Sequence, residues 1–187
     1  MKFDAAKTAL LTLDVQKGLF DFVPGAQSIL GPAARAMEAA RKKGLLILHV
    51  GLGFEPGHPE VGTASPRFTM VKERGLFIKG SESSAFHPAI ARPGETIVYK
   101  QRVSAFSENS LRMILRAKAV GHLVFFGIAT SGIVLSTLRQ AFDFDFQCTV
   151  IKDACFDPDP EVHRVLTEKV FAAQAVVITA EEFGAEG

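Results

Sequence analysis

The sequence predicts an α/β protein with one doubly wound parallel sheet covered by helices on both faces. Short, continuously apolar runs such as Thr8–Leu13 and residues 122–126 are typical of strands that are buried on both faces. Segments with helical spacing of apolar residues alternate with these runs, which favours a single sheet. The 187 residues can enclose a sizeable core, so we expect a single domain over residues 1–187.

The first half of the chain contains three of the predicted strands. Residues 8–13 form the first, residues 45–50 the second and residues 96–99 the third. Between the first two, residues 26–43 are predicted to be a helix, because apolar side chains share one face and Gly44 follows as a stop signal. A short helix is predicted within residues 68–79. Residues 51–67 form a long loop, and a loop of that length favours a functional role or an oligomer contact.

The second half repeats the alternation. Helices are predicted over residues 108–119, from a corner at residues 127–134 to about residue 144, and over residues 158–172. Strands are predicted over residues 122–126, 148–151 and 175–178, and a short tail is expected after Thr179.

Composition excludes several classes of function. The formal net charge is +1 and no long basic or acidic run is present, which gives no support for nucleic acid or a membrane surface as a partner. No apolar run reaches the roughly 18 residues of a membrane span. Cys148 and Cys155 do not make a disulfide framework, and the first residues lack the pattern of a signal peptide. We therefore expect a reduced, cytoplasmic protein.

Three strands end in residues that can do chemistry. Asp14 follows the first strand, Lys100 follows the third, and a corner with two glycines, Thr130 and Ser131 follows the fourth. Because the carboxyl ends of parallel strands meet at one edge of a sheet, these groups are predicted to lie close together. A carboxylate held ionised by an ammonium can take or give a proton, and backbone N–H groups of the corner can hold an oxyanion. A plain ion pair at the sheet edge is the alternative.

Several segments match one known family. They are Ala9-Leu10-Leu11-Thr12-Leu13-Asp14-Val15-Gln16, Val98-Tyr99-Lys100 with Ser104-Ala105-Phe106, Gly127-Ile128-Ala129-Thr130, and Asp153-Ala154-Cys155 before Glu161-Val162-His163. With these motifs in order and nearly end to end, the chain resembles the isochorismatase-like (cysteine hydrolase) superfamily. The resemblance implies a three-layer α/β/α fold with a six-stranded parallel sheet of order 3-2-1-4-5-6. It also implies a catalytic Asp at Asp14, a Lys at Lys100, a cis peptide at Ile128-Ala129 and a homodimer or homotetramer.

The chain departs from the family pattern at the nucleophile. Counting from Gly127, the family cysteine falls at Ile133, whose side chain has no proton to lose, so thioester chemistry at that position is excluded. Isochorismatases themselves resemble one another in placing Gly there, so a branched side chain also argues against that activity. Cys155, Ser131 and Thr130 are the possible substitutes. A buried structural role is favoured for Cys155, and the two hydroxyls lack an adjacent base other than Asp14.

The remaining site predictions concern the pocket. Oxyanion or substrate contacts are assigned to Ala129, Thr130, Ser131, Gly132, Gln16, Phe20 and Phe106. Loops 51–67 and 80–91 are expected at the pocket mouth, and Phe20, Phe54, Phe106 and Ile133 are expected to line it. A positive φ is expected at Gly132 to relax the turn. The scattered histidines lack a carboxylate at ligand spacing, so neither a metal nor another cofactor is expected.

Two functions follow from these predictions. The first is a hydrolase-like enzyme that acts on a small amide, ureide or vinyl ether through Asp14 and Lys100 without a thiol. The second is a catalytically inactive protein that binds a small molecule or serves as an oligomeric scaffold. Ile133 motivates the second hypothesis, whereas the retained ionic pair motivates the first.

Overall fold

The fold is built on one six-stranded parallel sheet, as described by a computed structural model over residues 3–185. The strands are β1 Thr8–Leu13, β2 Leu46–Leu52, β3 Thr96–Lys100, β4 His122–Gly127, β5 Gln147–Ile151 and β6 Val176–Ile178. Their order is β3-β2-β1-β4-β5-β6 with every neighbouring pair parallel, which confirms the predicted order 3-2-1-4-5-6.

Helices flank the sheet. They are α1 Lys17–Phe22, α2 Leu30–Lys42, α3 Pro66–Glu73, α4 Leu111–Ala117, α5 Leu135–Asp143, α6 Pro160–Val165 and α7 Ala180–Ala185. A π-helical turn, Thr130–Val134, leads directly into α5.

Several boundaries differ from the predicted ones for local reasons. The helix predicted over residues 26–43 begins as a 3₁₀ turn, Ala26–Ile29, before α2. The helix predicted over residues 108–119 begins only at Leu111, because the Leu111 N–H donates a hydrogen bond to the Asn109 side chain at 2.9 Å. Residues 158–172 divide into α6, a π-helical turn and a 3₁₀ turn. The predicted tail instead forms α7, which buries Phe183 completely.

Strand β1 is the centre of the core. All six of its residues are buried, as expected for a parallel strand covered on both faces. The pairing register places Leu13 opposite both Val50 of β2 and Gly127 of β4. Asp14, which follows Leu13, therefore lies between the end of β2 and the corner that follows β4.

Gly127 is required by the close packing of β1 against β4. A Cβ atom at this position would lie 1.9 Å from the carbonyl oxygen of Leu13, which is far inside van der Waals contact. No larger residue fits without separating the two strands at the point where they present their ends.

A buried polar network connects β1, β2 and the residue that precedes β3. The Thr12 hydroxyl contacts His49 Nδ1 at 2.7 Å, and His49 Nε2 lies 2.9 Å from Glu95. Arg41 donates to both carboxylate oxygens of Glu95, at 2.8 and 3.0 Å. Burial alone would raise the pKa of Glu95, but the hydrogen bonds from Arg41 and His49 outweigh it and lower that pKa to about 2. His49 is thus a satisfied core histidine.

A second apolar cluster, separate from the main core, lies beside the carboxyl ends of the strands. It consists of Leu52, Phe54, Val61, Phe68, Val71 and Phe77. Helix α3 contributes two of these side chains, so this cluster holds α3 beside the site described below. Across residues 3–185, none of the helices combines the length and the apolar character that crossing a bilayer requires.

Candidate active site

A buried ion pair lies at the carboxyl end of the sheet. Lys100 Nζ donates to Asp14 Oδ2 at 2.9 Å, and the two side chains are 1 % and 9 % exposed. Lys100 Nζ also donates to the Arg102 carbonyl at 3.0 Å. The residues predicted from strands β1 and β3 therefore do meet, across the end of β2.

Asp14 has unsatisfied hydrogen-bonding capacity. Its Oδ1 atom is buried and has no hydrogen-bond partner among residues 3–185. The Lys100 ammonium has three N–H donors, and only two of them are used by the described residues. Asp14 Oδ1 and one N–H of Lys100 thus have no partner among the described residues.

Burial governs the protonation of this pair. It raises the pKa of Asp14 above its usual 3.8, and the charge of Lys100 opposes that rise. Burial likewise lowers the pKa of Lys100, and the charge of Asp14 opposes that fall. A carboxylate with a raised pKa accepts a proton more readily near neutral pH than an exposed one.

The corner after β4 is held by hydrogen bonds from its own amides. Thr130 N–H donates to the Phe156 carbonyl at 2.8 Å, and Ser131 N–H donates to Asp157 Oδ2 at 2.7 Å. Gly132 N–H donates to the Ala129 carbonyl at 3.1 Å. These three N–H groups are therefore occupied.

The backbone of the corner fits one prediction and contradicts another. The peptide bond Ile128-Ala129 is cis, as the resemblance implied. Gly132 has φ −96° and ψ −105°, so the expectation of a positive φ there is wrong. The turn departs from helical geometry through ψ, and its φ stays in the range open to all residues.

A cavity of about 580 Å³ opens at this corner. That volume is within the range of small-molecule sites. Its polar wall residues are Asp14, Lys100, Arg67, Arg102, Ser131 and Asp157. Apolar side chains make up most of the remaining wall, and they include Ile133, which is 2 % exposed. The position of the family cysteine thus faces the same cavity as the ion pair.

Besides Thr130, which does not line the cavity, four residues predicted to contact substrate or line the pocket lie elsewhere. Gln16 fixes a loop, since its side-chain amide pairs with the Leu52 backbone and donates to the Ser84 carbonyl. The remaining three are phenylalanines. Phe20 packs against His87, Phe54 belongs to the second apolar cluster, and Phe106 packs against Phe144 and Phe146. The apolar side chains that do line the cavity come mainly from α1, α3 and the residues around Phe77.

Three charged residues of the cavity were not predicted, namely Asp157, Arg67 and Arg102, which lies two residues after Lys100. Asp157 holds the corner through Ser131, and it follows the Asp153-Ala154-Cys155 motif by two residues. Arg67 lies in the first turn of α3, at the end of the loop that was expected at the pocket mouth. The neighbouring motif and loop are the only sequence signals for Asp157 and Arg67, and no spacing rule identifies either residue.

The Thr130 hydroxyl and the Cys155 thiol are poorly placed to act as nucleophiles in the cavity. The Thr130 hydroxyl contacts His163 Nδ1 at 2.9 Å and is completely buried. Cys155 is 4 % exposed and is not part of the cavity wall, and burial raises its pKa to about 12. A thiol with that pKa is almost fully protonated at neutral pH. Within residues 3–185 there is no cluster of three or more His, Cys, Asp or Glu residues suited to a metal ion.

Comparison with known proteins identifies the family. The sequence profile of the isochorismatase domain matches residues 8–182. The chain belongs to the isochorismatase family. The ureidoacrylate amidohydrolase RutB of Stutzerimonas stutzeri is 32 % identical to this chain over 202 residues. That alignment covers 96 % of this chain and 78 % of the relative.

Solved structures of the isochorismatase family share the fold. An isochorismatase family protein from Burkholderia thailandensis superposes with a TM-score of 0.83 at 25 % identity, covering 99 % of this chain and 97 % of the other. A cysteine hydrolase from Pseudomonas syringae pv. phaseolicola has a TM-score of 0.87 at 20 % identity, with 97 % and 92 % covered. This isochorismatase-family chain therefore shares the fold of these solved structures.

Proposed function

We propose that the protein hydrolyses a small amide or ureide by direct attack of water, with Asp14 as the general base and without a covalent intermediate. The observation that carries this proposal is the unpartnered Asp14 Oδ1, a buried acceptor in the cavity wall beside the Lys100 ammonium. The similarity to a ureidoacrylate amidohydrolase supports an amide or ureide as the substrate class.

In this mechanism Asp14 alone takes up the proton and returns it. Asp14 Oδ1 takes a proton from a water molecule as the water oxygen bonds to the substrate carbonyl carbon. The tetrahedral intermediate then collapses, the C–N bond breaks, and Asp14 returns the proton to the leaving nitrogen. The products are an acid, which is a carbamic acid for a ureide, and ammonia or an amine. Lys100 keeps Oδ2 hydrogen-bonded throughout, so Oδ1 is the oxygen that is free to exchange protons.

The developing oxyanion needs donors that are not already used. Lys100 retains one N–H that none of the described residues accepts. This donor replaces the assignment to Gly132, whose N–H is bonded to the Ala129 carbonyl. Preorganised donors of this kind typically contribute roughly 10²- to 10³-fold each to the rate.

The test is turnover measured with defined variants. Ureidoacrylate, other ureides, primary amides and vinyl ethers are incubated at high protein concentration, and products are followed by NMR and by ammonia release. Hydrolysis of an amide or ureide is expected, and Asp14→Asn and Lys100→Ala should each abolish it. The control is the double variant Cys148→Ala/Cys155→Ala, which should retain activity because neither thiol lines the cavity. Activity that depends on Cys155, or survives Asp14→Asn, would refute the mechanism.

A second candidate is a binding protein without turnover, and Ile133 is the observation that favours it. The isoleucine fills the position of the family nucleophile with a branched apolar side chain and narrows the cavity there. Calorimetry distinguishes the two functions, because a scaffold or carrier binds the same compounds but leaves them intact after prolonged incubation. Ser131→Ala is a useful companion variant, since loss of turnover there would instead implicate the cavity hydroxyl.

A further inference from the structure

His163 belongs to one of the matching motifs, but it does not line the cavity. We propose that His163 is a positioning residue, which fixes the corner after β4 in the cavity wall through a hydrogen bond to Thr130. Its role in positioning rests on the proposed function for the reaction that the corner serves, whereas the contact itself does not.

The Thr130 hydroxyl depends on His163 for its hydrogen bonding. Thr130 is completely buried, and its Oγ1 lies 2.9 Å from His163 Nδ1. Among residues 3–185, no other group bonds to this hydroxyl. A buried hydroxyl without a partner is unfavourable, because it has lost its hydrogen bonds to water without replacement. The contact with His163 therefore favours the position that Thr130 has in this structure.

Asp157 anchors the next residue of the corner to the same region. Ser131 N–H donates to Asp157 Oδ2 at 2.7 Å, and Asp157 Oδ1 accepts a longer hydrogen bond of 3.4 Å from Asp159 N–H. Asp159 is the N-cap of α6, where its side chain accepts from two backbone N–H groups. Thr130 N–H also donates to the Phe156 carbonyl at 2.8 Å. Two consecutive residues of the corner are thus tied to α6 and the segment before it.

The hydrogen bonds that hold the corner from outside have a single source. Gly132 and Val134 donate to the Ala129 carbonyl at 3.1 and 3.3 Å, so these bonds stay inside the turn. Apart from α5, which continues the turn, only residues 156–163 bond to residues 129–134 in the part of the chain that the structure describes. The position of the corner is therefore set from behind, by α6 and the segment before it.

The corner needs a fixed position because it forms the wall at the reacting end of the cavity. Its residues Ser131, Gly132 and Ile133 line the cavity together with Asp14 and Lys100. A displacement of about 1 Å at a reacting centre can cost roughly 10²-fold in rate, even when the change that causes it is remote. A residue behind the wall can therefore matter to the reaction without touching the substrate.

The experiment follows the corner through a thiol introduced by Ile133→Cys. Iodoacetamide labelling at position 133 is measured by mass spectrometry of peptides, and Cys148, which is buried in β5, reports general unfolding in the same molecules. Ile133 is 2 % exposed, so loosening of the corner increases access to this position. In this background we expect Thr130→Val and His163→Ala each to raise labelling at position 133 by roughly fivefold, the factor for one lost hydrogen bond in a local opening equilibrium, with Cys148 unchanged.

Further variants separate this contact from a general effect on stability. Combining Thr130→Val with His163→Ala should raise labelling no further than either change alone, because both remove the same hydrogen bond. Thr130→Ser keeps the hydroxyl and should label at the rate of the background. Arg164→Gln should do so as well, since Arg164 is an exposed neighbour on α6 that bonds to Glu161 and Glu168. Unchanged labelling in the single variants, additive effects in the double variant, or equal acceleration at Cys148 would overturn the positioning role.

Turnover gives a second readout. In the chain that keeps Ile133, His163→Ala should lower kcat for amide or ureide hydrolysis by roughly tenfold with a smaller change in KM, since the corner lies at the reacting end. Hydrolysis with an unchanged kcat in His163→Ala would also overturn the positioning role. Labelling does not require turnover. The expected labelling pattern in a chain that hydrolyses none of the compounds would therefore refute the catalytic proposal and leave the contact between His163 and the corner intact.

Discussion

Replacing Lys100 by Met tests how strongly the buried pair is coupled. At the observed separation of 2.9 Å and an effective dielectric constant of about 20, the attraction between Lys100 and Asp14 is roughly 6 kcal/mol. Part of this offsets desolvation, and removing one partner of such a pair typically costs about 3–5 kcal/mol. We expect Lys100→Met to lower the free energy of unfolding by about that amount at pH 8. Urea denaturation followed by circular dichroism measures it.

The pH dependence of this loss identifies its cause. Without Lys100, the main interaction that opposes burial is lost, so the pKa of Asp14 rises further above 3.8. The folded state then binds the Asp14 proton more tightly than the unfolded state, so stability is greatest below about pH 4 and falls as the pH rises through the raised pKa. The loss should therefore be smaller at pH 5 than at pH 8.

The control variants separate the effect of losing the Lys100 charge on stability from the effect of changing the shape of its side chain. Lys72→Met, at an exposed position on α3, should change the free energy of unfolding by about 0.5 kcal/mol or less. Asp14→Asn combined with Lys100→Met should be more stable at pH 8 than Lys100→Met alone, since Asn is neutral and tolerates the positive φ at residue 14. A loss below about 1 kcal/mol for Lys100→Met, or a double variant no more stable than the single one, would refute this reasoning.

Three further predictions concern other parts of the molecule. Glu95→Gln should lower the free energy of unfolding at pH 7 by about 3 kcal/mol, because the pKa of Glu95 is about 2 against its usual 4.5. That loss should shrink as the pH falls from 4.5 towards 2, and an equal loss at pH 7 and pH 3 in urea denaturation would contradict it. In Ile133→Cys, iodoacetamide should label position 133 faster than Cys155, because position 133 lines the cavity and Cys155 does not, as mass spectrometry of peptides would show; equal labelling would argue against the cavity. Gly127→Ala should yield little folded protein in solubility and circular dichroism assays, since its Cβ would lie 1.9 Å from the Leu13 carbonyl oxygen, and a wild-type melting temperature would contradict the tight packing.

The sheet could be predicted from the sequence because its signals are local. The bounds of β1 match the prediction at both ends, since a continuous apolar run stops at a carboxylate. The proximity of Asp14 and Lys100 followed from the rule that parallel strands end at a common edge, together with the resemblance to the family. These inferences need only the periodicity and order of the strands.

The cavity wall could not be predicted in the same way because it depends on irregular backbone. Phe20 and Phe106 are close in sequence to the site, but the packing of their segments turns them towards His87 and Phe144. Arg67 and Asp157 enter the wall through the placement of α3 and of the segment after β5, which is set by contacts distant in sequence. A motif fixes which residues are near a strand end, and tertiary packing decides which of them face the ligand.

The unfavourable features gathered at Asp14 bear on whether the protein is an enzyme or a scaffold. Its φ is 55°, in the left-handed region that non-glycine residues rarely adopt, its side chain is 9 % exposed, and its Oδ1 has no partner among the described residues. A backbone in a sparsely populated region costs about 1–3 kcal/mol, and an unsatisfied buried acceptor costs about 1–3 kcal/mol more.

A scaffold has no use for these costs, because an apolar pair at positions 14 and 100 would stabilise the same fold as well or better. A general base needs each feature: burial raises its pKa, Lys100 fixes one oxygen, and the other oxygen stays free for a proton. We propose that Ile133 stands at the position of the family thiol, so that the covalent step is lost while the proton-transfer group stays assembled. Water attack is the chemistry that this remaining arrangement supports.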